Sequence, residues 1–196
     1  MHVIPASEYA TDAHAQISRV FVDGFYHWLY LFSKDKQKLS QGLQHMFVPE
    51  CFYVAVIDDE IAGIAACTNG KTPCIHLQAT LLRQHLGFVR GSIAYTVLYK
   101  ELVKHTYPFV LEANTGSIEF VATAEQHRKK GVASGTIQHI FANTPYTQYV
   151  LEVADTNTNA VNLYTKLGFA ETLRTPVKHT KHSGINFLVY MQYNKN

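Results

Sequence analysis

At 196 residues, 47% of them hydrophobic and 16% charged, the chain is long enough for one domain with a sizeable core and too apolar to be disordered. Lys and Arg number 17 against 15 Asp and Glu, and a net charge of +2 argues against a general binder of nucleic acid or membrane surfaces. The 11 histidines invite a metal reading, while the three cysteines, an odd number, read as thiols of a reducing compartment and not as a disulfide framework.

The first residues carry no basic run followed by an apolar stretch, and no apolar run approaches the roughly 20 residues of a transmembrane helix. The cytoplasm is therefore the expected location. Residues 12–31 place Ile17, Val20, Phe21, Phe25 and Trp28 at helical spacing, with Asp12 as the capping residue. Ser33 is placed to cap a second helix over 34–47, carrying Leu39, Leu43 and Met46, and Pro49 closes it. Strands are expected over 52–57 and 61–67, joined by a turn at Asp58-Asp59-Glu60. Residues 69–73 are a loop. Leu77, Leu81, Leu82 and Leu86 suggest a short helix, and Ser92 the start of another with Ile93, Val97, Leu98 and Leu102 on one face. After Gly116 come a strand over 117–123, a helix over 128–142 and a strand over 149–154. A short helix over 159–166 is stopped by Gly168, in the place of a C-terminal glycine cap, and strands are expected over 172–178 and 186–193. Strand and helix alternate as in an α/β domain, and the whole of 1–196 reads as one.

Residues Glu125 to Ser134 follow a strand and open a helix, where unpaired N–H groups and the positive end of the helix dipole suit a phosphate. Gly131 lets a ligand approach the backbone, Ala133 keeps the next turn open, and Lys129 and Lys130 add positive charge. The segment is neither a Walker loop nor the dinucleotide fingerprint, since it lacks the Gly-Lys-Ser/Thr of the one and all but one glycine of the other. A solvated basic helix start is the plain alternative.

A second segment adds to this turn. Asn157, Ala160, Tyr164, Gly168 and Phe169 stand at the spacing Asn-x-x-Ala-x-x-x-Tyr-x-x-x-Gly-Phe, and Arg128, Gly131 and Ala133 at Arg-x-x-Gly-x-Ala. With both motifs in this order the chain resembles the GNAT superfamily of acyl-CoA-dependent N-acetyltransferases, most clearly over 117–178. The resemblance implies a central mixed, mostly antiparallel twisted sheet flanked by helices. Residues 68–116, where the family joins its strands briefly, are then a helical insertion between the third and fourth strands. A second departure is Glu125, where many members have proline, and little consequence is expected of it.

The resemblance also implies a reaction, in which a primary amine of a small molecule, amino acid or peptide attacks acetyl-CoA directly. The backbone of Lys129, Lys130, Gly131, Val132, Ala133 and Ser134, with Arg128 in the motif, would cradle the pyrophosphate. The backbone of Val121, Ala122 and Thr123 would pair with the pantetheine arm, and a bulge often frees such groups. One of these N–H groups would also polarise the thioester carbonyl. Tyr164 matches the usual general acid, its unperturbed pKa of about 10 suiting a thiolate. The plain alternative is a helix tyrosine packed on the sheet. Asn157 and Ala160 match coenzyme-contacting positions, and Asn157 reads equally as an N-cap. For the general base Glu119 stands first and Glu152 second, with His127 a third that is expected to be solvated. Either glutamate reads otherwise as a structural carboxylate at a strand edge.

The histidines lack metal-ligand spacing. His179 and His182 are expected to straddle a hairpin turn near Ser183-Gly184, and there is no His-Glu-x-x-His or Cys-x-x-Cys, so no metal is expected. The insertion, with Arg83, His85, Phe88, Arg90, Tyr95 and Tyr99, reads as a helical cap with a packed apolar stripe, or else as a wall of the acceptor pocket or a homodimer contact. Tyr26, Trp28 and Tyr30 are candidates for the same pocket. The same motifs also allow a catalytically silent acetyl-CoA sensor or interaction module.

Overall fold

The computed structural model describes residues 1–9, 12–104, 106–177 and 184–195. Its sheet has seven strands: β1 (His2–Pro5), β2 (Phe52–Ile57), β3 (Glu60–Thr68), β4 (Thr115–Thr123), β5 (Gln148–Ala154), β6 (Ala170–Pro176) and β7 (Phe187–Asn194). Their order across the sheet is β1-β2-β3-β4-β5-β7-β6, and every neighbouring pair is antiparallel except β4 with β5. This is the mixed, mostly antiparallel sheet that the sequence led us to expect.

Helices cover both faces. On one lie α1 (Ala13–Leu29), α2 (Lys36–Leu43), α3 (Ala79–Leu86) and α4 (Phe88–Leu98). Ile17, Phe21, Leu39, Leu82 and Leu98 from these helices share a core with Val54, Ile64 and Ala122 of the sheet. On the other face lie α5 (Val132–Asn143) and α6 (Thr158–Lys166), whose Ile137, Ile140 and Tyr164 pack with Ile118, Tyr149, Leu151 and Val189. The alternating pattern of each strand is thus divided between two apolar layers. Gly24 brings α1 close to β4: a Cβ there would lie 2.6 Å from Ala122 Cβ, so the approach needs glycine.

The insertion is helical, as expected. Leu82, Ala94 and Leu98 are buried in the first core, so α3 and α4 form a cap with a packed stripe. Arg83 bonds Ser92 Oγ and lies over the Phe88 ring, and Tyr95 stacks on Tyr99, all within the insertion.

Several boundaries differ from expectation. β1 was not anticipated, because four residues ending in proline give no alternation to read; an edge strand is where a sheet tolerates proline. Asp12 caps α1 through Ala15 N–H, but α2 is capped by Asp35, which accepts from Gln37 and Lys38 N–H. Ser33 instead accepts from Asp35 N–H. α4 starts at Phe88, not Ser92, after Gly87 at φ +84° separates it from α3. Its buried side is Gly91, Ala94 and Leu98, while Ile93 is 53% exposed. Val97 and Leu102 pack on the first core with Leu98 as expected, but a Cβ at Gly91 would lie 2.5 Å from the Arg83 backbone, so α4 turns Gly91 and Ala94 toward α3 and Ile93 outward. α5 starts at Val132, because residues 128–131 form a turn instead of a first helical turn. The expected hairpin turn with His179 and His182 lies outside the described residues.

Among the described residues no helix is long and apolar enough to cross a membrane.

Candidate active site

The site is built around the one parallel pair. β4 and β5 are bonded only at Thr115↔Gln148, Gly116↔Tyr149 and Ser117↔Val150, and beyond this the two strands part. Along the gap β4 carries a bulge. Between Ala66↔Glu119 and Ile64↔Ala122 two residues of β4, Phe120 and Val121, oppose one of β3, Ala65, and Phe120 sits at φ +53°, a left-handed conformation rare for a bulky residue. Ala124 N–H donates to Ala62 O of β3. By strand alternation the peptide groups of Ala122 also point to β3, and those of Val121 and Thr123 point into the gap. Of the three residues singled out on this strand, two therefore offer backbone groups there.

At the end of β4 the chain makes a turn and enters α5. Lys129 at φ +63° and Gly131 at φ +78° are both left-handed, and a Cβ at Gly131 would meet nothing within 4 Å. No side chain caps α5, and Gly135 N–H to Gly131 O is the first bond of its ladder. The N–H groups of Val132, Ala133 and Ser134 precede that bond, so the helix end presents donors and the positive end of its dipole. Val132 itself is an anchor, its side chain buried with Ala55 and Ala62. Lys129 and Lys130 are exposed.

Asp23 on α1 clamps this turn. Its carboxylate accepts from Lys36 Nζ at 2.8 Å and from Glu125 N–H at 3.3 Å, and its carbonyl accepts from Arg128 Nη2 at 2.7 Å. Lys36 also pairs with Glu125 at 3.0 Å. Glu125 thus does something that proline could not, since proline has no N–H to give Asp23. Asp23→Ala should cost about 1–2 kcal/mol of stability in chemical denaturation, because it strips acceptors from Lys36 and the turn; a stability equal to wild type would leave the clamp without a role. His127, expected to be solvated, is half-buried, and its Nδ1 is shielded with no hydrogen-bond partner among the described residues.

Glu119 and Glu152 come together on the face opposite α5 and α6. Ser117 and Val150 are partners in register, so two residues further on the two glutamates stand level and point to the same side. Glu119 accepts from Ser117 Oγ at 2.7 Å and from Cys74 Sγ at 3.6 Å. Burial pushes the Cys67 thiol up to about 12 and pushes Cys74 up too, so Cys74 keeps the proton it donates. Beside Glu152 lies the Tyr190 hydroxyl, whose pKa is pushed up to about 12 by burial first, a Thr175 hydrogen bond opposing and Glu152 adding to the rise. Over both carboxylates lies the end of the insertion: Tyr107, whose hydroxyl is 2.8 Å from Ser117 Oγ, and Phe109, whose ring packs on Tyr190 at 5.6 Å. Ser117, Cys74 and Tyr107 were not picked out from the sequence. Only Ser117 had a signal there, as the polar residue two before Glu119 on one strand face.

Tyr164 stands apart from these groups, in the core under α5 and α6. It is 6% exposed, its ring packs edge-on to Phe169 at 6.0 Å, and burial raises its phenol above the ordinary tyrosine range. Asn157 caps α6 by accepting from Ala160 N–H at 3.3 Å, and Phe169 N–H returns to Tyr164 O past Gly168 at φ +93°. Tyr26 turns to the α1–α2 connection, donating to Lys34 O, and Trp28 packs on Phe32. Among the described residues no group of three or more His, Cys, Asp or Glu is placed to hold a metal ion.

A family model described as "Acetyltransferase (GNAT) family" matches residues 16–169. No curated protein matches the sequence. Solved structures match in fold. A protein from Pyrococcus horikoshii OT3 is 16% identical, with 100% of this chain and 98% of that one covered and a TM-score of 0.60. An N-acetyltransferase from Staphylococcus aureus Mu50 is also 16% identical, with 98% and 100% covered and a TM-score of 0.56. The ribosomal-protein-S18-alanine N-acetyltransferase from Escherichia coli is 10% identical, with 98% and 92% covered and a TM-score of 0.56.

Proposed function

The chain belongs to the GNAT acetyltransferase family, and we propose that it transfers an acetyl group from acetyl-CoA to the primary amine of a small molecule, amino acid or peptide by direct attack. The observation that carries this reading is the gap between β4 and β5, which has phosphate-suited donors at one end, carboxylates on one face and a buried phenol in the layer on the other.

The residues fit acetyl-CoA as the acyl donor. The N–H groups at the start of α5, with Lys129 and Lys130 beside them, suit its pyrophosphate. The peptide groups of Val121 and Thr123 extend into the gap as a neighbouring strand would require, which suits the amide-bearing pantetheine arm. The bulge at Phe120 directs backbone away from regular pairing where the thioester carbonyl would lie.

The proton traffic follows from the two faces. An amine entering from the carboxylate side loses its proton to Glu119, directly or through a water, as nitrogen bonds to the acyl carbon. The carbon–sulfur bond breaks, and the departing thiolate takes a proton from Tyr164. Glu152 stands level with Glu119 and is the alternative base. Asn157 and Ala160 serve this scheme by fixing the start of α6 and so the place of Tyr164 along it.

A panel of primary amines, small-molecule, amino-acid and peptide, assayed with acetyl-CoA for release of free CoA tests the reading. Amine-dependent release from at least one class is expected. Binding of CoA with no release across the panel would favour the silent sensor instead.

A further inference from the structure

Both ends of the insertion converge on Glu119. Near its start Cys74 donates to Glu119 Oε2, and near its end Tyr107 reaches Ser117, which donates to Glu119 Oε1. A hydroxyl has one proton to give. Ser117 gives its proton to the carboxylate, so in the 2.8 Å contact between Tyr107 and Ser117 the phenol is the donor. The donors therefore run in one direction, from Tyr107 to Ser117 to Glu119. Ser117 is fully buried, so Tyr107 is not readily replaced by solvent. The Tyr107 ring is fixed by Phe109 at 5.4 Å and Tyr190 at 6.0 Å. Burial raises its phenol, the Ser117 hydrogen bond works against that rise, and the charges of Glu119 and Glu152 add to it, so the phenol keeps its proton.

We propose that Tyr107 is a positioning residue for the Glu119 carboxylate, acting through Ser117. Its hydroxyl fixes the Ser117 rotor with the proton on Oε1, and the carboxylate is held with its remaining lone pairs available to the acceptor amine. Segment 68–116 thereby takes part in the reaction without touching the acceptor. The inference rests on Glu119 being the base.

The test does not depend on knowing the acceptor. In the full chain labelled with ¹³C at glutamate carboxyl carbons, the Glu119 resonance is identified by its loss in Glu119→Gln and followed against pH. A donor to the charged form favours that form, so weakening the relay makes Glu119 titrate at higher pH. Tyr107→Phe should move its titration upward by about half a pH unit or more, and Ser117→Ala further, since hydrogen bonds to charged groups are the stronger ones. The double variant should come close to Ser117→Ala alone, because the hydrogen bond from the phenol reaches Glu119 through Ser117. An unmoved titration in Tyr107→Phe, or effects that add in the double variant, would overturn the proposal. If Ser117→Ala fails to fold, Tyr107→Phe alone decides. A base other than Glu119 would show separately, as a pH–rate profile unchanged in Glu119→Gln.

Discussion

Replacing Tyr164 by phenylalanine should lower turnover by roughly 10²–10⁴, the scale of a single acid–base group. The change removes one hydroxyl and little else. The ring stays in the core under α5 and α6 and keeps its edge-on contact with Phe169, so the fold and the cap of α6 should persist. Burial raises the phenol, which bears on the acid role in two ways. It keeps Tyr164 protonated at neutral pH, so a proton is present when the thiolate departs. It also makes the phenol a weaker acid, but a thiolate leaving into the same desolvated surroundings is a stronger base by the same effect. Steady-state kinetics should show the loss in kcat with KM for acetyl-CoA little changed. Turnover equal to wild type would reduce Tyr164 to a packing residue.

Glu119→Gln should abolish the ascending limb of the pH–rate profile and lower kcat by a similar factor, about 10²–10⁴. Glutamine keeps the shape of glutamate and can accept the Ser117 proton at its amide oxygen, so the chain of contacts from Tyr107 survives while proton acceptance is lost. Glu152→Gln should leave the limb in place. Loss of the limb in Glu152→Gln alone would move the base to β5, on the same face and at the same level. Its persistence in both variants would remove each glutamate from the role.

The parts of this site that are local in sequence were legible in it. Gly131 after a strand and before a helix marked the turn, and Asn157 followed by a helical run marked the start of α6, because caps and turns are set by residues a few positions apart. The parts that join distant segments were not. Cys74 lies 45 residues from Glu119, and Asp23 lies 102 residues from the Glu125 amide it accepts from; neither carries a local pattern that points at its partner. Tyr107 sits on an irregular segment, where there is no periodicity to read. Ile93 on α4 was misplaced for a related reason. Val97, Leu98 and Leu102 point to the core as their spacing led us to expect, but Gly91 lets α4 lie against Arg83, so Gly91 and Ala94 are buried and Ile93 turns outward. The parting of β4 from β5 is a property of register, visible only once the strands are placed side by side.

The central claim is that this gap and the turn beside it hold acetyl-CoA. Thermal denaturation with CoA and with acetyl-CoA tests it most directly, since a ligand that binds the native state raises the melting temperature by an amount that grows with the logarithm of its concentration above Kd. The melting temperature should climb with the concentration of either compound. No shift with either at millimolar concentration would contradict the account.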